Sequence, residues 1–126
     1  MSLDMYAFSV PQGTDSPDGA KWRAFNFNWE EIAYWWGFDE LHCWMENLAR
    51  RKGFRGEFDC DPVLLTPADL DQLESDLEAE LLQPVDGLTS EEKPIYLENV
   101  EATRVFITRA RKCHESGRDV SYDSWR

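Results

Sequence analysis

Leu65-Thr66-Pro67-Ala68-Asp69-Leu70-Asp71-Gln72-Leu73-Glu74-Ser75-Asp76-Leu77-Glu78-Ala79-Glu80-Leu81 carries an unusually complete set of helix signals. Thr66 can cap the free amides of a first turn, and Pro67 suits the first helical position. Asp69 then falls at the third position, beside the positive end of the helix dipole. Leu65 and Leu70 have the spacing of a hydrophobic staple. Leu70, Leu73, Leu77 and Leu81 recur at helical period and predict one buried seam, which Pro84 ends. A helix this well punctuated, in a chain that also shows strand-like alternation, points to mixed helix and sheet layers.

The other side of this helix is acidic. Asp69, Asp71, Glu74, Asp76, Glu78 and Glu80 surround it, and Gly56 to Glu92 holds twelve Asp or Glu with no Lys or Arg. Like charges at i,i+4, such as Glu74 with Glu78 and Asp76 with Glu80, repel by a few tenths of a kcal/mol each. Two readings follow: a solvated polar face, or a negative surface that steers a basic partner. Arg50, Arg51, Lys52 and Arg55 form one basic group, and Arg104, Arg109, Arg111 and Lys112 another. Either could neutralise the acids from within.

The 126 residues predict a single domain spanning 1–126. A hydrophobic content of 42%, with six Trp, seven Phe and four Tyr, supplies a core. The net charge of −12 argues against direct nucleic-acid binding and against anionic lipid, both of which require clustered cations. No apolar run approaches the ~18 residues of a membrane span. Met1-Ser2-Leu3-Asp4 lacks the basic and apolar regions of a signal peptide. Cys43, Cys60 and Cys113 are odd in number and widely spaced, so we expect reduced thiols and a cytoplasmic setting.

Outside the acidic helix, Leu3 to Val10 alternates as a strand, with Leu3, Met5 and Ala7 on one face and Asp4, Tyr6 and Phe8 on the other. Gln12 to Ala20 has loop composition. Trp22 to Trp36 admits two readings. Asn28 and Glu31 could cap a helix, whereas Ile32-Ala33-Tyr34-Trp35-Trp36 has strand content, which we favour. Asp39 to Lys52 is an amphipathic helix with Leu41, Trp44, Met45, Leu48 and Ala49 inward, Asp39 as cap and Gly53 as stop. Short strands are expected around Glu57–Cys60 and Val63–Leu65. Val85 to Pro94 reads as a loop. A third helix is expected from Tyr96 to Glu115, with Leu97, Val100, Phe106, Ile107, Ala110 and Cys113 on or beside its buried stripe. Val120 to Trp125 is a last strand. The order predicts an α+β fold: a small, mostly antiparallel sheet of three to five strands, with about three helices packed on it.

Leu3-Asp4-Met5-Tyr6, the helical stretch Leu41-His42-Cys43-Trp44-Met45-Glu46, the stretch Leu65 to Leu70, and Tyr122-Asp123-Ser124-Trp125 together resemble a family of small phage and prophage proteins of unknown activity. Its members begin LDMY and end YDSWW or similar. The resemblance runs from Leu3 to Trp125 and implies a viral or prophage origin, with a host cytoplasm as the setting. Two departures stand out. The family has a basic Arg-Lys-His run where this chain has Trp36-Gly37-Phe38. It also has a Gly-Phe-Phe-Phe-Gly loop where this chain has Asp86-Gly87-Leu88-Thr89.

The chemistry-bearing residues favour a non-catalytic protein. No Gly-rich phosphate loop occurs, and no paired spacing such as CxxC or HxxxH predicts a metal, so neither cofactor nor metal is expected. Asp4, His42 and Asp123 are the candidate residues for a metal-dependent hydrolase, should the first and last strands pair. The aromatics from Trp22 to Phe38 exceed what one strand face can bury, so some are expected at the surface, Trp35 and Trp36 among them. The expectation is a protein that binds a host protein with a basic surface, possessing a counter-defence role on the strength of its implied origin. Asp69, Asp71, Glu74, Asp76, Glu78, Glu80, Trp35 and Trp36 are the expected contacts. The alternative is a binder of a small nucleotide-like ligand, with Trp and Tyr stacking and the basic groups holding phosphate.

Overall fold

A computed structural model describes residues 3–11, 30–58, 62–83 and 87–125. The elements run β1 (Asp4–Pro11), β2 (Glu30–Trp36), α1 (Asp39–Arg51), β3 (Val63–Leu65), α2 (Pro67–Glu78), α3 (Glu92–Glu115) and β4 (Arg118–Trp125). The four strands form one antiparallel sheet in the order β2-β1-β4-β3. The fold is therefore α+β, and the three helices of the described residues lie against one face of the sheet.

Alternation sets the two faces of the sheet. Met5 and Ala7 of β1 pair with Ser124 and Tyr122 of β4, and Tyr122 pairs with Val63 of β3. All of these are buried beneath the helices. Asp4, Tyr6 and Phe8 point the other way, as the alternation of Leu3 to Val10 predicts. In β2 the register slips at Ala7/Phe8, where Ala33 and then Glu31 are the partners. Ile32 is the extra residue of this bulge, so Ile32 and Ala33 both serve the core while Glu31 and Tyr34 stay outside.

The helices dock by their apolar stripes. Leu41, Met45 and Leu48 of α1, Leu70, Leu73 and Leu77 of α2, and Val100, Phe106, Ile107 and Ala110 of α3 join one cluster with the inner sheet face. Trp35 is 1% exposed and belongs to this cluster, not to the surface expected of it. Its ring meets Phe106 edge-to-face at 5.2 Å, and its indole Nε1 donates to Thr103 Oγ1 at 3.0 Å. It faces inward because it pairs with Met5, whereas its neighbours Tyr34 and Trp36 alternate outward.

Several boundaries differ from the sequence reading. At the start of α1 the capping position is Phe38, which makes no side-chain cap, and Asp39 lies inside the first turn. Glu57 and Phe58 are not in a strand; Asp59 and Cys60 lie outside the described residues, as do Gln12 to Trp29 and Pro84. Helix α2 stops at Glu78, before Leu81. Glu80 takes a positive φ of 59°, and the Glu80 and Leu81 amides donate back to Leu77 and Asp76 carbonyls. This is a Schellman turn, and it throws Leu81 outward while Leu82 enters the core. Helix α3 begins at Glu92, earlier than Tyr96. Thr89 and Glu92 cap one another reciprocally, and Pro94 is tolerated because first-turn amides have no intrahelical partner. Tyr96 then takes the inward position against Phe38, and Leu97 is exposed.

Candidate partner-binding surface

Three surfaces bear on function: the acidic helix α2, the outer face of the sheet, and the basic end of α1.

The acids of α2 are largely engaged by the chain itself. Thr66 and Asp69 form a full capping box, and Lys52 Nζ reaches Asp69 Oδ2 at 2.6 Å while also donating to the Leu64 carbonyl. Burial pushes the Asp69 carboxyl up, but the bonds from Lys52 and the Thr66 amide outweigh it and hold it below its ordinary value. Arg111 of α3 grips Glu74 through both amino nitrogens, at 2.9 and 3.2 Å, and Asp71 at 2.9 Å. That hydrogen bonding lowers the Glu74 carboxyl and raises the guanidinium. Asp76 accepts from Trp44 Nε1 and from Gln72 Nε2, each at 2.8 Å. Glu78 and Glu80 are exposed and have no ion pair among the described residues. The expected negative face is thus reduced to its C-terminal end.

The outer face of the sheet has the opposite character. Glu31, Tyr34 and Trp36 of β2 project there beside Asp4 and Tyr6 of β1, since cross-strand partners share a face. Tyr34 is 46% exposed and Trp36 57%. The Tyr34 hydroxyl donates to Asp4 Oδ1 at 2.7 Å, and the Tyr34 and Tyr6 rings lie 5.2 Å apart. The bond to Asp4, with burial and the carboxylate charge behind it, pushes the Tyr34 phenol up to about 12. Burial first, and then Asp4 and Glu31, raise Tyr6 as well. No Lys or Arg pairs with Asp4, Glu30 or Glu31 among the described residues. Further along, on β4, Ser121 and Asp123 share this face yet are buried, so the face is open only toward β2.

Sequence reasoning missed Tyr34, Glu31 and Asp4 as one surface. The signal was the alternation within Glu31 to Trp36, hidden by the bulge at Ile32.

The sheet also divides the hydrolase candidates. Asp4 and Asp123 point outward, whereas His42 is buried on the inner side, with Nδ1 hydrogen-bonded to the Tyr122 hydroxyl at 2.7 Å. Among the described residues no three His, Cys, Asp or Glu groups are placed to hold a metal. No helix of the described residues is long and apolar enough to cross a membrane.

The chain matches no family model, no curated protein and no solved structure.

The basic end of α1 carries two open clefts around Arg50. One of ≈ 400 Å³ is lined by Arg50, Phe54 and Arg55, with Gly53 and Gly56. The other, of ≈ 590 Å³, lies between Trp44, Asn47, Arg51 and Asp76. Arg50 itself is tied to Glu46 and to the Gly56 carbonyl. A third cleft, of ≈ 160 Å³, lies by the first turn of α1 and is lined by Asp39, Glu40 and Glu92. It is smaller than the ~300–1,000 Å³ typical of small-molecule sites, and its acids repel phosphate.

Proposed function

We propose that the protein is a binding module, not an enzyme, and that it captures a partner with a basic surface through the open end of the outer sheet face. The observation that carries this reading is the pairing of exposed Tyr34 and Trp36 with Asp4 and Glu31, where the described chain supplies no cation of its own. A Lys or Arg over an aromatic ring gains ~0.5–1 kcal/mol at an exposed site, and adjacent carboxylates add to it. Helix α2 is the weaker surface, because four of its six acids already have partners in the chain. The resemblance to phage and prophage proteins makes a host protein in the cytoplasm the expected partner, and counter-defence the expected setting.

The test uses hexa-arginine and hexa-glutamate as probes, with binding followed at low and high salt. We expect salt-sensitive binding of the cationic probe alone. Asp4→Asn with Glu31→Gln, both on the outer face, should weaken it more than Glu78→Gln with Glu80→Gln, which removes the same charge from α2. A larger effect at α2, or no binding, overturns the proposal.

A second reading keeps one observation in its favour. The clefts around Arg50 bring Arg51 and Arg55 near Trp44 and Phe54, the side-chain types that hold a phosphate and stack a base. A thermal-shift panel of mononucleotides tests it. Stabilisation lost in Arg51→Ala with Arg55→Ala supports the nucleotide reading; an unresponsive melting temperature removes it.

A further inference from the structure

Among the described strands, β2 ends the sheet on the side away from β1, and its backbone has a defined polarity. The Gly37 amide donates to the carbonyl of Leu3, the residue just before β1, at 2.9 Å, so Gly37 faces β1. Backbone groups alternate sides along an antiparallel strand, so Trp35 faces β1 too, and Tyr34 and Trp36 turn their N–H and C=O groups outward. The Ile32 carbonyl also points outward, since Arg109 Nη1 of α3 donates to it at 3.0 Å. Among the described residues no strand pairs with this edge. Arg109 blunts its Ile32 end, whereas among the described residues nothing bonds the outward backbone groups of Tyr34 and Trp36. Natural sheets usually charge, cover or shorten such an edge.

The two sides of this open segment differ chemically. Outside lie the Tyr34 and Trp36 rings with Asp4 and Glu31. Inside, the helix face that brings Arg109 to the edge also carries Val105, one turn earlier and 40% exposed. A strand laid on the edge would present alternate side chains to these two environments.

We propose that β2 accepts an extended segment of a partner as a fifth strand, with Lys or Arg at alternate positions over the outer face and aliphatic residues between them toward Val105. Backbone bonds to Tyr34 and Trp36 supply affinity, and the alternating side chains supply specificity. Charge complementarity selects the occupant: the face holds carboxylates and aromatic rings without a cation, and a second copy of a chain of charge −12 would bring like charge to it. The proposal rests on the basic-partner reading and adds the mode of capture.

The test leaves the protein unaltered and changes the probe. A seven-residue peptide alternating arginine and valine is titrated by fluorescence anisotropy, together with two forms N-methylated at one or the other alternate set of amides. Only one set can face β2 at a time. We expect one methylated form to bind at least about tenfold more weakly, as loss of two or three backbone bonds implies, and the other to bind like the parent. Equal affinities for the two methylated forms overturn strand addition while leaving basic-partner capture standing. If neither this peptide nor hexa-arginine binds, both proposals fall.

Discussion

Replacing Thr103 with Val tests how α3 is locked to the sheet. Thr103 is fully buried, and its hydroxyl does two jobs: it accepts from Trp35 Nε1 at 3.0 Å and donates to the Asn99 carbonyl at 2.7 Å. Valine has nearly the same shape and nearly the same helix propensity, so packing and backbone terms change little. The Asn99 carbonyl has a second, helical role and tolerates the loss. The Trp35 N–H does not, because the ring is 1% exposed and water cannot replace the hydroxyl. Leaving one buried donor unpaired costs ~1–3 kcal/mol. Near the melting point that corresponds to roughly 3–5 °C per kcal/mol for a chain of this size. Urea unfolding at pH 7 measures the loss. Thr103→Ser keeps the bond and removes one buried methyl, so it should cost about 1 kcal/mol. Trp35→Phe removes the donor, and in that background Thr103→Val should become almost neutral, giving a coupling of ~1–2 kcal/mol. An equal penalty for Thr103→Val in both backgrounds would refute the reasoning, since the hydroxyl would then owe nothing to Trp35.

Three further outcomes follow from the geometry. Glu80→Gly should raise stability by ~0.5–1 kcal/mol in the same urea assay, because Glu80 holds a left-handed backbone at the end of α2 that suits glycine. Asp69 and Glu74 have carboxyls held low, so the stability that they contribute is present above the unfolded carboxylate range, near pH 4, and is lost as pH falls through their folded values. Unfolding midpoints should therefore fall with acid below about pH 4, and Asp69→Asn should flatten part of that limb. Tyr34 should ionise near pH 12, seen as the late phenolate absorbance that Tyr34→Phe removes, and Asp4→Asn should bring it back toward the ordinary tyrosine range.

The regular elements were legible where one physical signal acted alone. The alternation of Leu3 to Val10 gives β1 and both of its faces, and Thr66-Pro67-Ala68-Asp69 gives the start of α2. Signals failed where two rules competed. The leucine period continues through Leu81, but a Schellman turn at Glu80 breaks the helix before the period does. Pro94 reads as a breaker, yet it is harmless in a first turn that Thr89 and Glu92 close. The candidate surface was half legible. Excess aromatics announced that some of Tyr34-Trp35-Trp36 must be exposed, but not which, because the bulge at Ile32 shifts the alternation and sends Trp35 inward. The pairing of Arg111 with Asp71 and Glu74 spans about forty residues of sequence and depends on how α3 docks, which no local pattern encodes.

Two sets of acids are therefore distinct: those of α2 held by Lys52 and Arg111, and those beside Tyr34 and Trp36 to which the described chain brings no cation. Amide-resolved hydrogen exchange with and without the arginine–valine peptide tests which of them receives a partner. The prediction is new protection at the Tyr34 and Trp36 amides, with residues 69–80 unchanged. Protection appearing along α2, with the β2 edge exchanging as before, would contradict it.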